Sequence, residues 1–438
     1  MPVPRLAFQP ISFCRNLWLA GAALCLPIVG GWAEVDFSTK LRYRATMFDD
    51  YGLFEKNRQG NQANELEHEL RADLSLATKR HLLQLRLGNR ILDKNEFIRT
   101  PETDVHRIHQ AYLDFALAES DHLNMRVGRQ ELSYNRGILV DPDDWDMEGN
   151  SFDAIKFYRD GTTWDLDMLY GQLSRDHDNQ LAGINLERTS PTRTINEFYL
   201  WYFGIPHQQD SLPLSGNPDL QVLNFGTRME GKLSKPLFYH LMFNYQTGRM
   251  TSSSGRKSDL GAYNFVINLD YFINHRVFRN VGFEYSLSSG DDGATTDRHE
   301  TFIPAFANRH SRSGSMDWMS MMNAEMLTLY LFADLHPKVE ALIEFHKFHL
   351  HSADSAWYLA DLSPGWWHYN TDWPGGLGNS EDVGSELDLH LRFGNNPNRR
   401  FTFGYSLFFP GRLLSDPNWG WKRDDTVQWA YLQTDLIF

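Results

Sequence analysis

Val35-Asp36-Phe37-Ser38-Thr39-Lys40-Leu41-Arg42-Tyr43-Arg44-Ala45-Thr46-Met47 carries the fold in its alternation. Val35, Phe37, Leu41, Tyr43, Ala45 and Met47 fall on one side of an extended chain. Asp36, Ser38, Lys40, Arg42, Arg44 and Thr46 fall on the other, because successive side chains of a strand point to opposite faces. The pattern returns with Leu66, Leu70, Leu74 and Leu76 against Glu67, Glu69, Arg71 and Asp73. It returns again with Leu83, Leu85 and Leu87 against Gln84, Arg86 and Gly88. Further segments start near Gln110, Leu123, Phe152, Thr163, Ile195, Gln221, Leu237, Ala262, Asn280, Glu325, Val339, Ser385, Phe401 and Val427. There are about 17 of them, most roughly 8–13 residues long, close to the roughly 9–11 residues of a tilted membrane-crossing strand.

Mean hydropathy is −0.47, which by itself suits a water-soluble chain. Aromatic residues are nevertheless 14% of the sequence, and they recur at every second position and at strand ends. A closed barrel hides a membrane protein in such a sequence, because lipid-facing and lumen-facing residues alternate and aromatics form interface girdles. A periplasmic β-sandwich or propeller is the competing architecture, and the strand-end aromatics favour the barrel. The expected fold is therefore an all-β transmembrane antiparallel up-and-down barrel of about 18 strands, with 16 as the alternative, since bacterial barrels have even numbers. Short connections at 78–80, 274–276 and 395–399 read as periplasmic turns. Long polar stretches near 48–64, 173–193, 289–324 and 352–384 read as extracellular loops.

Both ends agree with export to the outer membrane. Arg5 and Arg15, the apolar stretch from Leu17 to Val29 and the small residues Gly31 and Ala33 read as a cleaved signal peptide over 1–33. The barrel is then 34–438. Cys14 and Cys25 leave with the signal, so no disulfide, thiolate metal site or thiol nucleophile is expected. Losing two arginines takes the net charge from −14 to −16, which excludes nucleic acid as a partner. The last segment, Trp429 to Phe438, has Leu432, Leu436 and the terminal Phe438 on one face, the form expected by the barrel assembly machinery.

From Val127 the chain reads Val127-Gly128-Arg129-Gln130-Glu131-Leu132-Ser133-Tyr134, then Gly137-Ile138-Leu139-Val140, Asp144-Trp145 and Gly149-Asn150-Ser151-Phe152-Asp153-Ala154-Ile155. This resembles the most recognisable stretch of the alginate export family of outer-membrane barrels. Phe225-Gly226-Thr227-Arg228, Gly282-Phe283-Glu284-Tyr285, Ser289-Gly290-Asp291, Gly314-Ser315-Met316-Asp317, Gly384-Ser385-Glu386-Leu387-Asp388 and Gly404-Tyr405-Ser406 fit in order. One departure is Asn150, where the family usually has Arg. The resemblance implies passive, charge-selective passage of an anionic, alginate-like polysaccharide, without a cofactor. Its implied partners are that polysaccharide, outer-membrane lipid and lipopolysaccharide, and a periplasmic polysaccharide-secretion scaffold. The alternative is an uptake porin for small anions or sugar acids.

Alternation also assigns the lumen. Arg42, Arg44, Arg71, Arg86, Arg90, Arg126, Lys156, Arg228 and Arg392 lie opposite the aromatics, as do the acids Glu230, Glu284, Glu386 and Asp388. Guanidinium is permanently charged and forks onto a carboxylate, and rings of Arg or Lys select anions. Polar barrel interiors also hold Arg–Glu ladders that only satisfy each other. The grouping of Arg42, Arg44, Arg86, Arg90, Arg126 and Lys156 in the first six strands favours an electropositive wall. Arg129 falls on the lipid face with Leu123, Met125 and Val127 by strict alternation, where it costs about 2–4 kcal/mol at the midplane. Either Arg129 lies near a membrane interface or a bulge at Gly128 turns it into the lumen path, and the bulge is the reading favoured. Asp141–Asp146 reads as a solvated acidic loop rather than a calcium site. His346 faces away from His349 and His351, so no metal site is expected. No Gly-x-Ser-x-Gly, His-Glu-x-x-His or phosphate-binding loop is present, so the chain reads as no enzyme; a hydrolase would need a Ser–His pair in contact.

Overall fold

A computed structural model describes residues 33–49, 63–78, 84–96, 105–118, 123–146, 148–206, 218–252, 255–294, 297–360, 362, 380–396, 398–415 and 426–438. The expected signal lies outside them except for Ala33. The strands of the first half are β1 (Ala33–Asp49), β2 (Ala63–Thr78), β3 (Gln84–Glu96), β4 (Val105–Ala118), β5 (Leu123–Gln130), β6 (Phe152–Arg159), β7 (Trp164–Leu173), β8 (Asp176–Thr189) and β9 (Ile195–Ile205). Then come β10 (Asp219–Lys232), β11 (Leu237–Thr251), β12 (Lys257–Phe272), β13 (Phe278–Ser288), β14 (Arg298–His299), β15 (Ala324–His336), β16 (Val339–Leu350), β17 (Asp382–Asn396), β18 (Arg399–Pro410) and β19 (Val427–Ile437). Only β14 is not a wall strand; its two residues pair in parallel with Asp259 and Leu260. The remaining eighteen pair antiparallel with their neighbours, and β1 pairs with both β2 and β19. The ring therefore closes without a free edge, at the expected eighteen.

Alternation holds around this ring. Tyr43, Met47, Ile155, Phe157, Phe198, Phe225, Leu387 and Leu432 are exposed on the outside, and Arg42, Arg44, Glu69, Asn224, Asn244, Glu386 and Asp388 are buried on the inside. One expected loop is instead wall. Residues 173–193 contain β8, paired to β7 and β9 along its length. It was missed because Leu181, which faces inward, is fully buried and apolar, so apolar residues occur on both faces and the two-residue rhythm fades. Its connection to β7 is only Ser174-Arg175.

Apolar packing sits inside the barrel, at the end of the long connections. The connection from β5 to β6 and that from β13 to β15 fold inward rather than standing in solvent. Ile138, Leu139 and Val140 of the first meet Phe302, Ile303, Met319 and Met322 of the second, against Phe152, Trp201, Phe203, Phe348 and Phe408 of the wall. Each fully buried side chain of this kind contributes about 1.5–3 kcal/mol. The two loops are also zipped through the main chain. Asp141 N–H donates to Phe306 O (2.8 Å), Phe306 N–H to Leu139 O (3.0 Å) and Asn308 N–H to Gly137 O (2.7 Å). The turn at Asn135–Gly137 that permits this has φ of 55°, 50° and 77° at its three residues. A Cβ at Gly137 would lie 3.0 Å from both Asn308 and Asp141, so the close loop contact requires glycine there. Asn150, the departure from the family pattern, closes the first loop at its base: its N–H donates to Pro142 O (2.6 Å) and its amide to Asp141 O (3.1 Å).

Ile184 faces outward from the middle of β8. Ile184→Arg should cost about 2–4 kcal/mol in urea-dependent folding into lipid vesicles. A neutral result would return 173–193 to the loops.

Candidate channel lumen and its inner loops

The cations expected along the lumen are there, and each described one except the exposed Arg392 is paired. Arg42 donates from Nε to Asp435 (2.8 Å) and from Nη2 to Asp144 (3.2 Å), and it lies 3.8 Å from the buried Glu69. Arg71 bonds both Glu69 and Asp144. Lys40 lies 3.7 Å from Asp144. Arg44 pairs with Glu67 (3.3 Å), donates to Trp145 O (2.8 Å) and rests 3.7 Å over the Trp145 ring. Arg126 is bound by Asp114 (2.5 Å), whose other oxygen accepts from Tyr158 (2.8 Å). Lys156 pairs with Asp167 at 2.7 Å. Arg228 is surrounded by Glu197, Glu230 and Glu187. A buried charge without a partner costs several kcal/mol, and this wall carries a partner for each. The expected cationic lane is a sequence of neutralised pairs. The side chains of Arg86 and Arg90 lie outside the described residues; their backbones pair with Tyr112 and Arg107 on β4.

Arg129 departs from its expected place. The register of β5 with β4 and β6 runs through Gly128 without a shift, so there is no bulge, and Arg129 stays on the outer face. Gly128 serves another need there: a Cβ would lie 2.3 Å from Ala111 O. Arg129 avoids an unpaired charge by a two-pronged bond to Asp153, 2.8 Å from each oxygen, and Asp153 also takes His177 at 2.8 Å.

The acidic stretch at Asp141–Asp146 is no solvated loop. Asp141 accepts from Asn308 (3.0 Å), and Asp143 and Asp146 both hold Arg309 at 2.8 Å. Asp144 reaches across to β1 and β2. Burial opposes its ionisation, yet Arg71, Arg42 and Lys40 outweigh burial and hold its carboxyl well below the usual carboxylate range. Burial pushes neighbouring Asp143 up, against the pull of Arg309. Trp145 is stacked on His310 with centroids 3.7 Å apart and planes 3° from parallel. Arg44 and His310, both within van der Waals reach of the indole centre, cover its two faces. Tyr431 of β19 meets its edge at 5.4 Å.

The expected inner acids all lie in the lumen. Glu230 binds Arg228, and Glu284 binds Arg312 of the second inner loop at 3.1 Å. Glu386 and Asp388 lie under that loop, with His346 3.2 Å from Asp388. His349 and His351 lie on the other face of β16 and its continuation, and no group among the described residues could hold a metal ion. Ser315 Oγ does lie 3.0 Å from His390 Nε2. The other imidazole nitrogen, however, meets the Tyr431 hydroxyl (3.0 Å) rather than a carboxylate, and both residues are buried. Glu344 lies 3.6 Å from Nε2, on the serine's side of the ring, so no acid orients the imidazole from its far nitrogen as a nucleophile's base requires.

The profile of the alginate export family matches residues 33–418. The chain belongs to that family. In fold, this alginate export family member is similar to three structures from Pseudomonas aeruginosa. OpdK with vanillate has a TM-score of 0.58 and 9% identity, covering 92% of this chain and 98% of that one. OpdL has 0.56 and 9%, with coverage of 92% and 99%. The outer membrane protein OprD has 0.53 and 10%, with coverage of 92% and 93%. No curated protein matches it in sequence. The family member is an outer-membrane channel of a Gram-negative bacterium, not an enzyme.

No local pattern signals that Asp144, Trp145, Arg309 and Arg312 enter the lumen, although Asp144 and Trp145 lie in the family stretch. Two measurements check these placements. Arg126→Glu should shift the reversal potential toward cation selectivity, whereas Arg129→Gln, outside the barrel, should leave it unchanged. Asp144 should stay ionised through the ordinary carboxylate range. A carboxylate whose folded pKa is depressed contributes above its ordinary pKa of about 3.9 and is lost only as pH falls through the depressed value. The conductance difference between wild type and Asp144→Asn should therefore remain constant from about pH 7 to about pH 4; a step near the ordinary value would place Asp144 away from the cations.

Proposed function

We propose that the channel conducts an anionic, alginate-like polysaccharide passively out of the periplasm, and that residues 144–145 occupy the groups this polymer uses. One observation carries the reading. A loop carboxylate, Asp144, lies across Lys40, Arg42 and Arg71, and the next residue presents an indole held between Arg44 and His310. A uronate offers the same two chemistries, a carboxylate for a guanidinium fork and an apolar ring face for an aromatic side chain. Exchange of one carboxylate for another keeps Lys40, Arg42 and Arg71 paired, so passage avoids the cost of stripping a buried charge. Arg392, exposed on the inward face of β17 near the periplasmic turn, forms no ion pair among the described residues and gives an entering polyanion its first free cation. The loop packing in the upper lumen couples passage to movement of the inner loops. The same reading brings in a periplasmic secretion scaffold at the turn end and lipopolysaccharide around the outer face.

A second reading, uptake of small anions or sugar acids, is favoured by the likeness to OpdK, whose structure holds vanillate. Single-channel recording with polyuronate added on the periplasmic side separates the two. Under the export reading the polymer blocks wild-type current. Asp144→Ala should then lower the blocking concentration about tenfold, the effect of removing one competing contact to a charged group. Block by monomeric uronate alone, equal in both proteins, would favour uptake and sink the exchange argument.

A further inference from the structure

Glu386 and Asp388 stand two residues apart on the inward face of β17, both fully buried. Bringing two acids together away from water is costly, and a wall position at this level needs no acid to close the sheet. What they touch explains their presence. Met316 N–H donates to Glu386 (2.8 Å) and Ser315 N–H to Asp388 (3.4 Å), while the Ser315 hydroxyl meets His390 (3.0 Å). Three successive inward residues of one strand thus hold one short segment of the second inner loop. Gly314, at φ 72°, lets the segment come down onto the acids, since a Cβ there would lie 2.7–2.9 Å from the Glu386 carboxyl atoms. The next contacts lead onward along the same loop. Arg312 binds Glu284, Arg309 binds Asp143 and Asp146, and His310 stacks on Trp145.

We propose that Glu386 and Asp388 are positioning residues of the channel, clamping the loop after β13 in the lumen by accepting its main-chain N–H groups and so holding Asp144 and Trp145 over the wall cations. An enclosed main-chain N–H left without an acceptor is costly, so carboxyl oxygens placed to receive those of Ser315 and Met316 keep the loop from lifting away. The inference rests on the channel fold alone and is independent of what the channel carries.

The test compares full-length Glu386→Ala, Glu386→Gln and Gly314→Ala with wild type, in planar bilayers and under trypsin. Leaving one enclosed N–H without its acceptor shifts a two-state equilibrium about tenfold. Glu386→Ala and Gly314→Ala should therefore raise open probability about tenfold. They should also expose Arg309 and Arg312 to trypsin, with the barrel keeping its heat-resistant migration on gels. Glu386→Gln, which keeps an acceptor for Met316, should restore most of the wild-type protection. Wild-type conductance and protection in Glu386→Ala would overturn the clamp. Should Glu386→Ala lose the folded barrel, Gly314→Ala decides, because it alters no strand; unchanged conductance and protection there would overturn the clamp as well.

Discussion

In the hydrocarbon of a bilayer no water is present to meet a backbone N–H or C=O, and each one left unmet costs several kcal/mol. Everything else in this chain follows from meeting them between strands. The closing seam is made by β1, which takes β19 on one side and β2 on the other. At its periplasmic end Thr39 and Phe438 exchange both main-chain bonds, 3.1 and 2.9 Å. Once the ring is closed, the strand geometry leaves each side chain only two directions, lipid or lumen. The outward set is apolar and the inward set is charged or amide-bearing because no other assignment is tolerated.

A polar interior creates a second problem, which ion pairing solves. Charges enclosed by the barrel and covered by loops are only partly hydrated, so each needs a counter-charge. Arg126 with Asp114, Lys156 with Asp167, and Arg228 with three glutamates are local solutions within the wall. The cluster on β1 and β2 differs, because part of its counter-charge arrives from a distant loop through Asp144. A counter-ion carried on a loop can leave, whereas one on a neighbouring strand cannot. Under the proposed function, that difference makes the β1–β2 cluster the place where the channel changes state.

The inner loops also reverse the usual relation of core and surface. The apolar core lies inside the barrel, between loop residues such as Ile138 and Phe302 and wall residues such as Trp201 and Phe408. Polar anchors fix it at two edges, Asp144 at one and the acids of β17 at the other. Nonpolar burial supplies most of the packing energy but is non-directional; the polar anchors are directional contacts at its edges.

Strand number, closure and the inward direction of Arg42, Arg44, Arg126, Lys156, Arg228, Glu230, Glu284, Glu386 and Asp388 were legible in the sequence. They depend on a two-residue rhythm that lipid on one side and water on the other impose locally. That rhythm failed at β8, where loops rather than water face the wall and make Leu181 apolar. It was right at Arg129, where the expectation of a bulge was wrong, because a partner on the next strand, Asp153, made an outward charge tolerable. The sequence by itself determined which residues face lipid and which face the lumen, since one strand suffices to set that. Only the tertiary structure decided which acid neutralises which cation, and that Asp144 and Trp145 cover the β1–β2 cluster. The contacts of Asp144 and Trp145 with Arg42 and Arg44 join residues about a hundred positions apart, through a loop whose path no local periodicity encodes.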